Sequence, residues 1–390
     1  MLNLVPISYN LRSLFVRKSA TLLTVISIGA TVAVISGVLA LQQGFVTLFS
    51  DVGREDLAVF LRPGTNSEGN SLFQAERGDE LIKSTPEIAE DEAGLPMASA
   101  ESYLAVRRFK LGGGETNVPV RGVEPMTMQL RDRELRFLEG RPFRPGTDEV
   151  IVGSRLVQRI RDCQIGETIQ FNTVPFTVVG IFTDDGSFAS EIWGDLDRIS
   201  DALDRSGYSR VIAKMRDGVD MEDFAERMSN DERVPAKVFT EQEYLTAQTS
   251  ALGGTLVGLA GFLGFIMGLA AIFTTKTTML AALSARTHEI GILASVGFKP
   301  FTIFLSFLFE ALVLGLLGGV AGILFSLPLN GIETGTMNFQ TFTEVAFAFR
   351  VTPSVLGTAV TFAVVLGLIG GALPAWRASR MSPVDAMRRG

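Results

Sequence analysis

Four long apolar stretches divide this chain, and each is long enough to cross a membrane as a helix. A helix needs about 20 mainly apolar residues to span roughly 30 Å of hydrocarbon. We therefore predict transmembrane helices at residues 20–42, 251–275, 301–329 and 351–375. A cleaved signal peptide is the alternative for the first stretch, but its apolar run exceeds the roughly 7 to 15 residues usual in such peptides.

Residues 43–250 contain no apolar run of that length, which indicates a folded domain large enough to bury its own core. Short β-rich segments such as Leu57–Leu61 and Thr177–Phe182 alternate there with polar, helix-compatible segments such as Met221–Asn230. This alternation favours an α+β or split βαβ arrangement, with a strand-rich subdomain at about residues 115–182. The expected fold class is an α-helical membrane protein with four transmembrane helices in a one-plus-three layout and a large α+β extracytoplasmic domain after the first helix.

The distribution of basic residues predicts the orientation, because short cytoplasmic loops are enriched in Lys and Arg. The N-terminal segment 1–19, the segment 276–300 and the tail 376–390 each contain more basic than acidic residues. The balance is opposite from Gln43 to Ala251, with 24 Lys+Arg against 37 Asp+Glu, a difference of −13. We therefore expect a multi-pass protein of the cytoplasmic (inner) membrane, with both termini in the cytoplasm. The acidic domain and the loop 330–350 are expected outside.

The sequence offers little for enzymatic chemistry. Its only histidine, His288, and its only cysteine, Cys163, are expected on opposite sides of the membrane, which excludes a Cys-His pair, and a Ser-His-Asp triad is unavailable outside. One thiol cannot form an internal disulfide, so Cys163 is expected to be a small buried side chain. A carboxylate-only metal site stays open. No GxxxxGK[ST] phosphate-binding loop is present, so ATP, if it is used, is expected to bind to another subunit. We also expect no catalytic residue, resident cofactor or nucleic-acid partner in this chain.

Small residues recur every four positions in the predicted spans, which permits close approach of helix backbones and favours tight packing or self-association. The alternative is that glycine is simply more frequent in membrane helices. The pairs are Gly29/Ala33/Gly37, Gly254/Gly258, Gly264/Gly268, Gly315/Gly319, Gly318/Gly322 and Gly367/Gly371.

Glu310 is the one acidic residue well inside a predicted span. At 1.5 Å per residue it lies roughly 15 Å beyond Pro300, where an unpaired carboxylate is costly. It is therefore either a functional polar contact in the interior of the bundle or an acid at a local water defect.

The segment 276–300 is charged and helical in composition, and it joins two spans. A short amphipathic helix held at both ends can transmit a push to the membrane, and its glycines permit close backbone contact with a partner. The alternative is an interfacial helix that lies on lipid headgroups.

Three segments carry a family resemblance. Arg286–Gly297, RTHEIGILASVG, resembles the R-T-x-E-I-G-x-x-x-A-x-G signature of the MacB/FtsX-like permeases, the type VII ABC transporters. Leu373–Arg388 is similar to the P-A-x-R-A-x-x-x-x-P-V-x-A-L-R ending of that family, and Asn10–Thr24 resembles its R-N-L-x-R-x-K-x-R-T-L-L-T start. Weaker matches within the outer domain extend the similarity to nearly the whole chain.

The resemblance implies a homodimer or paired permease, in which each subunit binds one ABC-type ATPase that holds ATP and Mg. The helix within 276–300 would dock into that ATPase as a coupling helix. By position, the coupling residues are Arg286, Glu289, Ile290, Gly291, Ala294 and Gly297. The matching residues of the tail motif are Pro374, Arg377, Pro383 and Asp385.

The implied function is that of a permease subunit acting by mechanotransmission, for efflux or release of a hydrophobic or amphipathic substrate. Unlike the macrolide exporters of the family, this chain contains no ATPase domain, so a separate subunit is expected to supply it. Membrane lipids, a periplasmic adaptor and an outer-membrane channel are further implied partners. Two alternatives remain: a non-transporting relay to an extracytoplasmic enzyme, and a lipoprotein-releasing permease.

Overall fold

The computed structural model describes residues 12, 14, 16–50, 52–338 and 343–382. The chain divides into two compact units. We call Met1–Gly44, Leu252–Ile332 and Ala348–Gly390 the membrane unit, and Phe45–Ala251 with Glu333–Phe347 the outer unit. Most of the predicted segment 1–19 lies outside the described residues, as do Pro383 and Asp385 of the tail motif.

The described helices follow the chain from the first span to the last. They are α1 (Lys18–Ser50), α2 (Ala75–Ser84), α3 (Pro125–Leu130), α4 (Ser154–Val157), α5 (Leu196–Ala202), α6 (Met221–Ser229), α7 (Glu241–Ala285), α8 (Thr287–Ser295), α9 (Pro300–Ser326) and α10 (Pro353–Ser379).

The strands lie almost entirely in the outer unit. They are β1 (Leu57–Leu61), β2 (Ala98–Phe109), β3 (Glu115–Val123), β4 (Arg136–Gly140), β5 (Glu149–Gly153), β6 (Thr168–Phe171), β7 (Val174–Thr183), β8 (Ile192–Asp195), β9 (Arg210–Lys214), β10 (Lys237–Thr240), β11 (Glu333–Asn338) and β12 (Thr343–Ala348).

Four helices, α1, α7, α9 and α10, are long and apolar enough to cross a membrane, with a mean hydropathy between 2.1 and 2.4 in their most apolar windows. Together with the mixed α/β outer unit they confirm the predicted fold class. Proline begins both α9 and α10, at Pro300 and Pro353, where its missing N–H costs no hydrogen bond. Thr352 caps α10 by accepting a hydrogen bond from the Val355 amide.

Helix α7 is longer than the predicted span at 251–275, because it begins at Glu241 and continues to Ala285. Its polar residues do not interrupt it, since the hydroxyls of Thr274 and Thr278 bond to carbonyls one turn earlier in the same helix. The predicted helix at 276–300 is consequently divided between the end of α7 and the separate helix α8.

Glycine allows close helix contacts within the membrane unit. A Cβ on Gly318 of α9 would lie 2.6 Å from Ile28 of α1, and one on Gly367 of α10 would lie 2.7 Å from the Ala311 carbonyl of α9. The close-packing interpretation is confirmed for these helices. Gly254 and Gly258 of α7, in contrast, have open space beside them.

The outer unit is built on one ten-stranded sheet, in the order β10-β1-β9-β2-β3-β8-β5-β7-β4, with β6 paired to β7. Neighbours are antiparallel except for β3 with β8 and β5 with β7, which are parallel. The predicted strand-rich segment 115–182 contributes β3 to β7 to this same sheet. One hydrophobic core lies under the β1 half and contains Phe60 and Phe224, and a second lies under the β5 half and contains Phe171 and Phe176.

The predicted loop 330–350 contains a β-hairpin, β11–β12, that belongs to the outer unit. The Phe347 ring packs edge-on against Phe45 at 5.5 Å between centroids, and the hydroxyls of Thr343 and Tyr103 are 3.1 Å apart. Strand β12 therefore anchors the loop between the last two spans to the sheet of the outer unit.

Candidate coupling site and the ion network of the outer unit

Helix α8 is separated from its neighbours by two local breaks. Arg286 leaves the helical conformation at φ −116° and ψ 16°, which ends α7 and starts α8. At the other end Gly297 has φ +100°, and the amides of Gly297 and Phe298 donate to the carbonyls of Ala294 and Leu293, both at 3.2 Å. This is a Schellman motif, which favours glycine because other residues are strained at positive φ.

One face of α8 packs into the membrane unit. Ile290 and Gly291 are buried, Ala294 is half-buried, and Ile290 joins a core cluster that includes Leu283 and Phe307. These residues hold the helix to the bundle, and their predicted role in coupling stays a prediction. Of the six predicted coupling residues, only Glu289 and Gly297 are exposed.

The exposed face of α8 includes Glu289 and three residues that the resemblance did not name. His288 and Glu289 are exposed, and so are the apolar side chains of Ile292 and Val296, at 47% and 73% of their full surface. We call these four residues the α8 surface. Two exposed aliphatic residues beside a carboxylate suit a groove in another protein better than contact with water.

Arg286 links α8 to α9 through two carboxylates of unequal burial. Its Nη1 lies 3.2 Å from Oε2 of Glu310, and its Nε lies 3.2 Å from Oε2 of Glu289. The Arg286 and Glu310 side chains are only 7% and 6% exposed, whereas Glu289 is 55% exposed. Glu310 thus makes a polar contact in the interior of the bundle, and a functional role for that contact stays a prediction.

The tail motif divides between the core and the surface. Pro374 is buried inside α10, where it interrupts the helical hydrogen-bond pattern, and Arg377 in the last turn is exposed. The guanidinium of Arg380 stacks over the exposed Trp376 ring at 4.8 Å from its centroid. The described part of the motif therefore contributes to the end of α10.

The outer unit contains a buried ion network that the sequence did not reveal. Arg121 of β3 donates to Glu191, Glu68 and Glu101 at 2.7, 2.8 and 2.9 Å. Arg210 of β9 pairs with Glu101 at 2.7 Å and with Glu68 at 3.1 Å. All five side chains are at most 6% exposed. We call these five residues the central network.

Two carboxylates of the central network, Glu101 and Glu68, are held in the ionised form. Burial alone would raise the pKa of Glu101, but the guanidinium groups of Arg210 and Arg121 outweigh it and hold the pKa at about 2. The same two arginines keep the pKa of Glu68 below its usual range despite its burial. The adjoining cavity has a volume of about 20 Å³, room for a water molecule and not for a substrate.

The two residues considered for nucleophilic chemistry, Cys163 and His288, belong to different units of the structure. Cys163 is free and buried, as expected, and burial raises the pKa of its thiol to about 12. His288 is exposed on α8, and no group of three or more His, Cys, Asp or Glu side chains is arranged for a metal within the described ranges. Absence of a bound cofactor stays a prediction.

The models of two known protein domains match this chain. Residues 20–231 match the model of the MacB-like periplasmic core domain, and residues 261–383 match the model of the FtsX-like permease C-terminal domain. The chain belongs to the MacB/FtsX-like permease family. It is thus an ABC transporter permease with transmembrane helices and a MacB-type periplasmic domain.

Relatives of this permease have low sequence identity to it, but their similarity extends over most of the chain. The macrolide export ATP-binding/permease protein MacB of Pasteurella multocida is 26% identical over 96% of this chain and 58% of its own length. The uncharacterized ABC transporter permease YvrN of Bacillus subtilis is 24% identical over the full length of both. The periplasmic region of MacB from Actinobacillus actinomycetemcomitans covers 49% of this chain and 91% of its own, with 12% identity and a TM-score of 0.35, too low to support an inference.

This permease spans less than two thirds of the MacB relatives that it matches, for example 58% of the protein from Pasteurella multocida. Its similarity to YvrN extends over that whole protein. The activity of the longer MacB proteins therefore supports proposals about this permease and is not attributed to it directly.

Two groups of residues in the structure had only faint sequence signals. Strand β12 has the sequence TEVAFA, in which Val345 and Phe347 are two positions apart, a short period-two spacing of large apolar residues that could have indicated a strand. The members of the central network are far apart in the chain, with 53 positions between Glu68 and Arg121 and 109 between Glu101 and Arg210. No local pattern brings such residues together.

Proposed function

We propose that this chain is the permease subunit of an ATP-driven exporter that acts by mechanotransmission. A separate ABC-type ATPase binds the α8 surface in the cytoplasm and hydrolyses ATP with Mg. Its movement passes through α8 and α7 to the outer unit. The observation that carries the proposal is the α8 surface itself, because Ile292 and Val296 remain exposed on a helix whose other face is packed into the bundle.

The Arg286–Glu310 pair gives α8 a fixed attachment in this proposal. A buried charge pair tolerates little rearrangement, because separating it leaves two charges without water. A push on α8 is therefore transferred to α9 rather than absorbed by rotation of the short helix. Glu289, on the exposed side of Arg286, is available to a basic group of the ATPase.

Helix α7 provides the outward route. Glu241–Ala251 belongs to the outer unit and the remainder, from Leu252 to Ala285, belongs to the membrane unit. In the proposal, movement of its inner end reaches the outer unit along this helix. Two permease chains, identical or paired, would each bind one ATPase, with both termini in the cytoplasm.

The substrate class follows from the relatives and is the least specific part of the proposal. The Pasteurella multocida relative is a macrolide export protein. We infer a hydrophobic or amphipathic compound, released outside the membrane with the help of a periplasmic adaptor and an outer-membrane channel.

Purification of the tagged chain in mild detergent tests the proposal. We expect an ABC-type ATPase at one copy per permease chain, and ATP hydrolysis by that complex but not by the permease alone. Hydrolysis by the isolated permease, or its purification from native membranes without any ATPase, would contradict the proposal.

A further inference from the structure

Two segments that lead from membrane helices into the outer unit attach to the same short stretch, Leu130–Glu134. Arg54, just after α1, donates through Nη1 to the Leu130 carbonyl at 2.8 Å and to Glu134 at 3.4 Å. Glu241, the first residue of α7, accepts hydrogen bonds from Arg131 and from the Arg54 amide. We call Arg54, Arg131, Glu134 and Glu241 the helix anchor.

The centre of the helix anchor is withdrawn from water. The Arg131 and Glu241 side chains are 0% and 1% exposed, and Arg131 also pairs with Glu134 at 2.8 Å. Breaking such a buried pair from one side leaves a buried charge uncompensated and is strongly destabilising, whereas an exposed pair contributes little. The α7 end of the anchor is therefore held far more firmly than a surface contact would hold it.

The helix anchor is continuous with the central network. The Phe188 ring lies between two guanidinium groups, with Arg131 at 4.4 Å and Arg121 at 5.6 Å from its centroid. One turn along α7, the Tyr244 hydroxyl accepts a hydrogen bond from the Glu68 amide at 3.0 Å. The start of α7 therefore reaches the central network at two separate points.

Two points of attachment restrict a helix more than one does. A single contact allows α7 to pivot around it, while contacts at Glu241 and Tyr244 resist both pulling and rotation about the helix axis. The strands that carry the central network, β9, β2 and β3, are neighbours in the middle of the sheet. A displacement of α7 would thus be delivered to the centre of the sheet rather than to its edge.

We infer that the Arg131–Glu241 pair is the positioning contact that passes displacement of α7 to the sheet of the outer unit. The inference rests on the proposed mechanotransmission and adds the residues that perform it at the outer end. Arg131 and Glu241 bind neither substrate nor nucleotide in this account. They determine how much of the helix movement the outer unit receives.

The test uses the full permease–ATPase complex in lipid nanodiscs with spin labels at Leu95→Cys and Phe325→Cys, which are exposed positions in the outer and the membrane unit. The native Cys163 is buried and does not compete for label. The labelled chain is diluted with unlabelled chain, and the label-to-label distance is measured without nucleotide and with ATP and vanadate. In the wild type we expect ATP to change the distance distribution.

The decisive variant is Arg131→Met with Glu241→Leu, which removes the pair without leaving one charge buried alone. The control is Arg141→Met with Glu149→Leu, which removes another ion pair of the same sheet, with a 2.6 Å contact, away from α7. We expect the ATP-induced change in the label-to-label distance distribution to be at least about fivefold smaller in the decisive variant than in the wild type. In the control we expect this change to persist. Thermal unfolding followed by Trp193 fluorescence checks that both variants are folded.

Glu241→Gln provides a milder variant that keeps the side-chain shape, and it decides the matter if the double variant unfolds. A wild-type distance change in either folded variant would overturn the inference while leaving mechanotransmission intact. Absence of any ATP-induced change in the wild type would instead overturn the proposed function itself. The two failures are therefore distinguishable in one experiment.

Discussion

At the scale of single residues, Arg286 shows how burial decides the strength of a charge pair. The same guanidinium lies 3.2 Å from the buried Glu310 and 3.2 Å from the exposed Glu289. Water screens the second contact and not the first. The identity of the residues and the distances do not distinguish these two pairs, but their surroundings do.

We predict that Glu310→Ala destabilises the membrane unit by about 3–5 kcal/mol, because Arg286 is left charged in the bundle. Glu289→Ala is the matched control and should change stability by at most about 1 kcal/mol. Thermal unfolding of the detergent-purified permease measures both. Equal effects of the two substitutions would show that burial does not govern this site.

The second prediction concerns pH and the outer unit. The pKa of Glu101 is about 2 in the folded protein and 4.5 in an ordinary glutamate, so its contribution is complete above pH 4.5 and is lost as the pH falls toward 2. A shift of this size corresponds to roughly 3 kcal/mol. Burial raises the pKa of Asp184 and Glu124, which act in the opposite direction.

The difference in unfolding free energy between the wild type and Glu101→Gln isolates the contribution of the ionised Glu101 to stability. We expect the difference in unfolding free energy to be constant between pH 7 and about 5 and to shrink between 4.5 and 2. Urea unfolding followed by Trp193 fluorescence, in a Trp376→Phe background, measures it. A difference that grows on acidification would have the wrong sign for a carboxylate held ionised by Arg121 and Arg210.

At the scale of elements, the hydrophobic pattern predicted the four spans well, because a lipid environment demands long apolar helices. The end of α7 and the start of α8 were not predictable in the same way. The sequence of 276–300 is helical on both sides of Arg286, and the break there coincides with the pairing of Arg286 with Glu310 in another helix. Likewise, the buried face of α8 is set by the bundle and not by the helix itself.

Close packing of α9 and α10 leads to a matched pair of glycine substitutions. Gly367→Ala should destabilise the bundle by about 1–3 kcal/mol, because the new Cβ would lie 2.7 Å from the Ala311 carbonyl. Gly258→Ala adds the same methyl group where nothing lies within 4 Å and should be neutral or slightly stabilising. Thermal unfolding in detergent compares them, and a reversed order would contradict the packing of these helices.

The α8 surface supports a prediction about partner binding. Ile292→Glu with Val296→Glu should reduce the amount of ATPase that co-purifies at least about tenfold, because two charges would enter an apolar interface. The control is Leu95→Glu, since Leu95 is an exposed aliphatic residue of the outer unit, at 57%. Undiminished ATPase in the α8 variant would exclude these residues from the interface.

At the scale of the whole molecule, segregation of charge and apolar residues along the chain indicated a membrane protein with a large acidic domain. The resemblance of its motifs to the MacB/FtsX-like family implied a permease, and the family comparison agrees. The order of strands in the sheet was beyond sequence reasoning, because most neighbours are distant in the chain, as with β1 and β10. The helix anchor and the central network depend on that order. The residues most important for the proposed relay are therefore those that the sequence pattern concealed.

The central claim is that an ATPase holds this permease by α8, and a photo-crosslinker at Ile292 tests it most directly. Irradiation of native membranes that contain the full chain should yield one main protein adduct, and mass spectrometry should identify it as an ABC-type ATPase. The same crosslinker at Leu95 should not give this adduct. Adducts at Ile292 with lipid alone would contradict the account and would favour a helix lying on the membrane surface.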